Sequence, residues 1–337
     1  MAGGKERALR RRIKSVQSTK KITKAMELIS ASRIAKAQER VQAARPYADR
    51  ITGVIRNLAA AGAGGDSPLL NAREEISTIA YVVVAADRGL AGGYNSAVIR
   101  GAERAMAADE AAGRSTALIT VGKKPTGYFR FRGHEIAASF TGFSDNPTYE
   151  DAREVARYVA ERFDSGEYSE VHIAYTRFIT MGSQSAEIVR YMPLDTSAMT
   201  DGDSVEAGPS ADYEFEPGPD AILERLLPRY AEARLYAAIL DSAASEHAAR
   251  QRAMKSATEN AEEMIVKLSR VMNRARQDAI TTEIMEIVGG AEALRQAATD
   301  GSDLLVDQVN VDDVFPARTG TTGEPARPLH FAAGDQS

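Results

Sequence analysis

The residues best placed for conventional chemistry are Asp87-Arg88-Gly89-Leu90-Ala91-Gly92-Gly93-Tyr94-Asn95, between an apolar β-branched run and a helical pattern. Glycines there allow close backbone approach, and a helix N-terminus attracts phosphate. Their spacing matches neither the dinucleotide fingerprint nor the phosphate loop with its terminal Lys and Ser/Thr. The stretch reads instead as a tight strand-to-helix turn that needs positive φ. Gly122-Lys123-Lys124 fails in the same way, with no loop before it and no hydroxyl after it. Cysteine is absent, which excludes disulfides, thiolate metal sites and thiol switches. The four histidines, His134, His172, His247 and His330, are scattered without metal-ligand neighbours at helical spacing. No Ser-His-Asp arrangement is apparent, and paired carboxylates cannot be located from sequence. The richest polar cluster is Arg274, Arg276, Gln277, Asp278, Thr281, Thr282 and Glu283. A charge run on a helix is usually a solvated face, but Thr281 and Thr282 are weaker helix formers than their neighbours. Catalysis has little to stand on.

The elements around these residues suggest mechanics instead. Met254, Ala257, Ala261, Met264, Leu268, Val271 and Ala275 alternate spacings of three and four, which keeps one narrow apolar seam on a helix. Leu9, Ile13, Val16, Ile22, Met26 and Ile29 repeat the pattern near the N-terminus. Each seam needs a partner, and the simplest is the other, which makes a rod. The first helix is expected over residues 4–60, broken or bent near Pro46, and about 80 Å long at ~1.5 Å per residue. The last is expected from Pro219 to Val288, kinked or restarted at Pro228 and weakened at Gly289-Gly290. Between them, strands are expected at residues 76–86, 115–121, 135–139, 171–179 and 186–194. Helices are expected at 95–112, 123–132 and 148–165. Alternating strands and helices imply an open, mostly parallel, Rossmann-like sheet.

Charge is unevenly shared. Residues 1–45 carry 13 Lys/Arg against 3 Glu, so the rest of a chain of net charge −5 is strongly acidic. A solvated face and a surface opposed to an acidic partner are both open readings. The first aromatic residue is Tyr47, so base stacking has no platform and a protein partner is preferred to nucleic acid. Residues 195–220 hold eight acidic and no basic side chains, with three prolines, and read as a loop. The longest apolar stretch, residues 79–86, is too short to cross a bilayer, and the basic N-terminus lacks the apolar core of a secretory signal.

A family resemblance gathers these features. Met1-Ala-Gly-Gly-Lys-Glu6, Ile13-Lys-Ser-Val-Gln17, Lys21-Ile-Thr-Lys-Ala-Met26 and Arg45-Pro-Tyr47 closely resemble the N-terminal helix of the γ subunits of rotary F-type ATP synthases of bacterial type. Residues 87–95 look like that family's glycine turn. Ser245-Glu-His-Ala-Ala-Arg250, Ala253-Met-Lys-Ser-Ala-Thr258 and Ala275-Arg-Gln-Asp-Ala-Ile-Thr-Thr-Glu-Ile284 resemble its C-terminal helix. The similarity spans about residues 2–294.

The resemblance implies an α/β domain of Rossmann-like type, residues 75–195, joined to a long antiparallel coiled coil of residues 1–60 and 219–294. An acidic loop, 196–218, would lie near the c ring, and a mostly disordered extension, 295–337, would follow. It implies a central rotor stalk that performs no bond chemistry and needs no cofactor or metal. Its partners would be the α, β and ε subunits and the c ring, with δ reached through the complex, at the cytoplasmic face of the bacterial plasma membrane. By position in the motifs, Arg276, Gln277, Thr281 and Glu283 would meet the catch loops of β, and Arg250 would be a further polar stalk position. Lys20, Lys21, Lys24 and Met26 would face the acidic lever loop of β, with Tyr213 and Glu216 near the c ring. Two other classes remain open without the resemblance: a nucleotide-binding α/β enzyme with helical oligomerisation arms, and a basic coiled-coil protein that binds nucleic acid.

Overall fold

The computed structural model describes residues 2–60, 67–73, 75–194 and 218–300. Helix α1 spans Ala2–Ala60. There follow β1 (Thr78–Val84), α2 (Tyr94–Ala111), β2 (Ser115–Val121), α3 (Lys123–Phe131), β3 (Ala138–Phe140), α4 (Tyr149–Asp164), β4 (Glu170–Phe178) and β5 (Gln184–Met192). Helix α5 closes the described chain at Pro219–Asp300. Two compact units are distinguished: residues 8–270, and residues 1–7 together with those from Val271 onward.

In the first unit the strands form one sheet of order β3-β2-β1-β4-β5. The β1–β2, β1–β4 and β2–β3 pairs are parallel, and β4–β5 is an antiparallel hairpin at the edge. Alternation along β1 feeds both faces. Ala80, Val82 and Val84 point into a core shared with Ile51, Ile55 and Leu58 of α1, Val155, Val159 and Phe163 of α4, and Leu223, Leu227, Leu235 and Ile239 of α5. Ile79, Tyr81 and Val83 point the other way, against Val98, Ile99 and Met106 of α2 and Phe129 of α3. Helix α4 starts at a capping box in which the Thr148 side chain takes the Asp151 N–H and the Asp151 carboxylate takes the Thr148 N–H.

Both long helices run further than their breakers suggest. Helix α1 continues through Pro46, and α5 through Pro228 and Gly289-Gly290. Proline removes one backbone hydrogen bond, and each site is followed by strong anchors: Ile51, Ile55 and Leu58 in α1, and Tyr230, Ala231 and Leu235 in α5. Strand β3 begins at Ala138, three residues later than expected, because its ladder with β2 starts at the Ile119–Ala138 pair; Ile136 before it packs on the α2–α3 side of the sheet.

The helix pair is antiparallel: Thr23 meets Thr258 while Lys20 meets Glu262. Its register differs from the apolar pattern. On α5 the seam runs through Met254, Thr258, Ala261, Ile265 and Leu268, while Met264 and Val271 are exposed. On α1 a steady alternation of four and three leads from Leu9, Ile13 and Val16 to Lys20, Thr23, Glu27, Ser30, Ile34 and Ala37. Ile22 is 59% exposed and Ile29 55%, whereas Thr23 is 8% exposed and Ser30 2%. Apolarity suggested Ile22 and Ile29, but the heptad places small hydroxyl residues inside and leaves isoleucines on the surface.

Candidate functional site

The glycine turn sits at the carboxyl ends of β1, β2 and β3, on the side of β1 away from the β1–β4 switch point. A carboxylate of the chain gathers the backbone donors there. Asp87 Oδ1 accepts the N–H of Lys123 at 3.0 Å, and Oδ2 accepts those of Gly142 at 2.9 Å and Ser144 at 3.1 Å. One side chain thus ties together the ends of three strands. Gly122 brings the β2 end in closely: its φ is +106°, and a Cβ there would lie 2.1 Å from the Ala85 carbonyl oxygen. Asn95 completes the turn by accepting the Ala86 N–H at 2.9 Å. A shallow cleft of about 430 Å³ beside it is lined by Ala91, Gly92, Tyr94, Thr176, Ala249 and Arg252, among others. Among the described residues no group of three or more His, Asp or Glu is placed to hold a metal ion.

The turn leads into a buried polar junction with α5. Ser144 receives the Asp87 N–H at 2.8 Å and donates to Glu246 Oε2 at 3.3 Å. Arg250 donates to Glu246 Oε1 at 2.5 Å and to the Gly89 carbonyl at 3.4 Å. Glu246 is 0% exposed and Arg250 7%. Burial pushes the Glu246 carboxyl above its usual value, and the Arg250 charge and hydrogen bond oppose it. His247 donates from Nε2 to the Asp145 carbonyl at 3.0 Å, and burial pushes its imidazole down. Arg250 therefore has its guanidinium engaged inside the chain, a placement that its motif position did not reveal.

Along the helix pair, Lys20 and Glu262 form an ion pair at 2.7 Å, and Lys24 reaches Glu27 at 3.2 Å. The hydrogen bond and charge of Lys20 hold the Glu262 carboxyl below its usual value. Lys21 is exposed and Met26 half-buried. The Thr23 and Thr258 hydroxyls lie 2.8 Å apart, and each also reaches the carbonyl one turn back, Lys20 at 3.0 Å and Met254 at 2.8 Å. One hydroxyl donates across the interface while the other donates to its own helix.

In the second unit, Arg276, Gln277, Thr281 and Glu283 are all exposed on α5. Gln277 and Thr281 are one turn apart, as are Ile280 and Ile284, while Arg276 and Glu283 are two turns apart. Helical geometry sets the isoleucines between the two polar rows. Ile280, Ile284, Met285, Ile287, Val288 and Leu294 are exposed as well. The polar rows are legible in the sequence, whereas the apolar strip is not. Its signal was a helix apolar on more than one face. Tyr213 and Glu216 lie outside the described residues, as does the chain beyond Asp300.

A family model described as ATP synthase matches residues 5–294. The ATP synthase gamma chain of Frankia casuarinae is 51% identical over 296 residues, covering 86% of this chain and 98% of that one. That of Parafrankia sp. (strain EAN1pec) is 50% identical over 300 residues, covering 88% and 99%. Among solved structures, a chain of the Euglena gracilis mitochondrial ATP synthase OSCP/F1/c-ring assembly covers 91% of this chain and 99% of its own, with a TM-score of 0.60 at 17% identity. A chain of the Tetrahymena thermophila mitochondrial ATP synthase central stalk/c-ring covers 70% and 99%, with a TM-score of 0.53 at 22% identity. These structural likenesses speak for the fold, and the sequence relatives span both long helices and the sheet between them. The chain belongs to the ATP synthase gamma chain family.

Proposed function

We propose that this protein is the central rotor stalk of an F-type ATP synthase. It carries torque between the membrane c ring and the catalytic β subunits, and so couples proton flow to ATP synthesis or hydrolysis. The observation that carries this reading is the antiparallel pairing of α1 with α5, marked by Lys20–Glu262 and Thr23–Thr258, on a chain of this family. The Asp87 carboxylate, taken up by three backbone N–H groups, is committed to holding the glycine turn, in keeping with a stalk that has no catalytic centre of its own.

Within that reading, residues 1–60 and 219–294 are the stalk helices, 75–195 the α/β domain, 196–218 the acidic loop and 295–337 an extension. Arg276, Gln277, Thr281 and Glu283 meet the catch loops of β, with Ile280 and Ile284 between them as an apolar bearing strip. Lys20, Lys21, Lys24 and Met26 face the acidic lever loop. Exposed ion pairs are worth ~0–1 kcal/mol each, weak enough to exchange as the shaft turns. Arg250 acts inside the stalk through Glu246. Tyr213 and Glu216 are the residues assigned to the c ring and ε, α is a partner alongside β, and δ is reached through the complex. Among the described residues no helix is long and apolar enough to cross a membrane. The complex holds the chain peripherally at the cytoplasmic face of the plasma membrane. Purification of the tagged native chain tests the reading: α, β and ε co-purify in an ATP-hydrolysing complex, and recovery of the chain alone contradicts it.

A further inference from the structure

The turn between β3 and α4 touches both long helices at once. Asp145 pairs with Arg33 of α1 at 2.6 Å, and Asn146 accepts a hydrogen bond from Arg40 of α1. On its other side, Ser144 donates to Glu246 of α5 at 3.3 Å, and the Asp145 carbonyl accepts from His247 of α5 at 3.0 Å. The turn is itself fastened to the sheet, because Asp87 holds the N–H groups of Gly142 and Ser144.

We infer that this turn is the clamp through which load passes from the α/β domain to α1 as well as α5, with Arg33 and Arg40 as the positioning residues on α1. The inference rests on the rotor reading. Helix α5 joins the domain through a broad apolar contact from Leu223 to Ile239, which suffices to carry it round with the sheet. Helix α1 enters that core through Ile51, Ile55 and Leu58 near its C-terminal end. Further along, its seam against α5 contains Thr23, Ser30 and Ala37, small side chains that make shallow knobs and resist sliding poorly. Arg33 and Arg40 lie two turns apart on one face of this stretch, so together they fix both the height and the rotation of α1. Both contacts are polar and exposed, and contribute little to folding. Their use is under load.

The test uses the whole membrane-embedded complex carrying R33A/R40A. Assembly and hydrolysis without a proton gradient stay at wild-type levels, while protons pumped per ATP hydrolysed fall about twofold or more, within the range for coupling residues. The charge exchange R33D with D145R recovers more coupling than either single variant. An unchanged pumping ratio in R33A/R40A, or an exchange no better than the single variants, overturns the clamp.

A second measurement covers a variant that assembles badly. This chain contains no cysteine, so within it R33C/D145C joined by a short bismaleimide locks this contact alone, and complexes with the unsubstituted chain treated the same way control for thiols elsewhere. A clamp that stays shut during rotation leaves coupled turnover intact after locking, whereas arrest by the cross-link overturns it. Failure of the rotor reading looks different: complexes stripped of this chain would still pump protons with ATP.

Discussion

Thr23 and Thr258 are 235 residues apart in sequence, yet their hydroxyls meet at 2.8 Å inside the helix pair. The contact marks where α1 meets α5 and is made by two side chains that a search for apolar seams passes over. A buried hydroxyl is tolerated when it is hydrogen-bonded, and this pair bonds itself and its own helices.

Replacing one partner separates the hydrogen bond from the packing. Thr23→Val or Thr258→Val alone costs about 1 kcal/mol, whereas the double variant is close to neutral because no hydroxyl is left to satisfy. Urea unfolding of the three variants checks this. Equal losses that simply add in the double variant would show that the hydroxyls do not interact.

The Glu246–Arg250 pair is held in the interior, where removing one partner strands the other. Arg250→Met costs ~3–5 kcal/mol near neutral pH. The sign with pH follows from the raised Glu246 carboxyl. The folded chain holds that proton more tightly than the unfolded chain. Its contribution is therefore fullest below the usual value of 4.5 and is lost as pH rises through the folded value. Without Arg250 the carboxyl rises further, so the variant loses stability with pH more steeply than the parent. Parallel stability–pH curves would contradict this coupling.

Asp87 acts as a built-in anion for three backbone donors. Asp87→Ala destabilises the chain by about 1–3 kcal/mol. Added sulfate raises its melting temperature more than that of the parent, since a free anion can occupy the vacated cradle. An equal response of both proteins to sulfate would mean that Asp87 does not stand in for a ligand.

The layout of the sheet was legible because β-branched runs and glycine stops mark parallel strands plainly. Residues 115–121 match β2 in full, and α4 starts and ends within a residue of expectation. The seam was only half legible. Met254, Ala261 and Leu268 share one heptad position and were found, but the second row was placed a residue away at Met264 instead of Ile265. Side-chain type could not decide between them, since both are apolar. On α1 it misled outright, choosing Ile22 over Thr23. The Arg33–Asp145 contact was invisible because it joins residues 112 positions apart, and neither carries a local sign of its partner. Glu246 did leave a trace: a carboxylate one helical turn from Arg250 within an alanine-rich run that the fold then buries.

Gln277 and Thr281 offer polar groups on one exposed row of α5 without taking part in its seam. Their joint replacement by Ala leaves assembly intact and lowers both ATP synthesis and hydrolysis. Full turnover in a correctly assembled double variant would remove them from the contact with β.

Rotation itself is the most direct measure of the account. Phe131 at the end of α3 is 88% exposed, and in this cysteine-free chain Phe131→Cys supplies a single thiol for a visible marker. With α and β subunits fixed to a surface, the marker turns in one direction when ATP is added and stops when ATP is removed. A marker that stays still while the same immobilised complexes hydrolyse ATP would contradict the rotor reading.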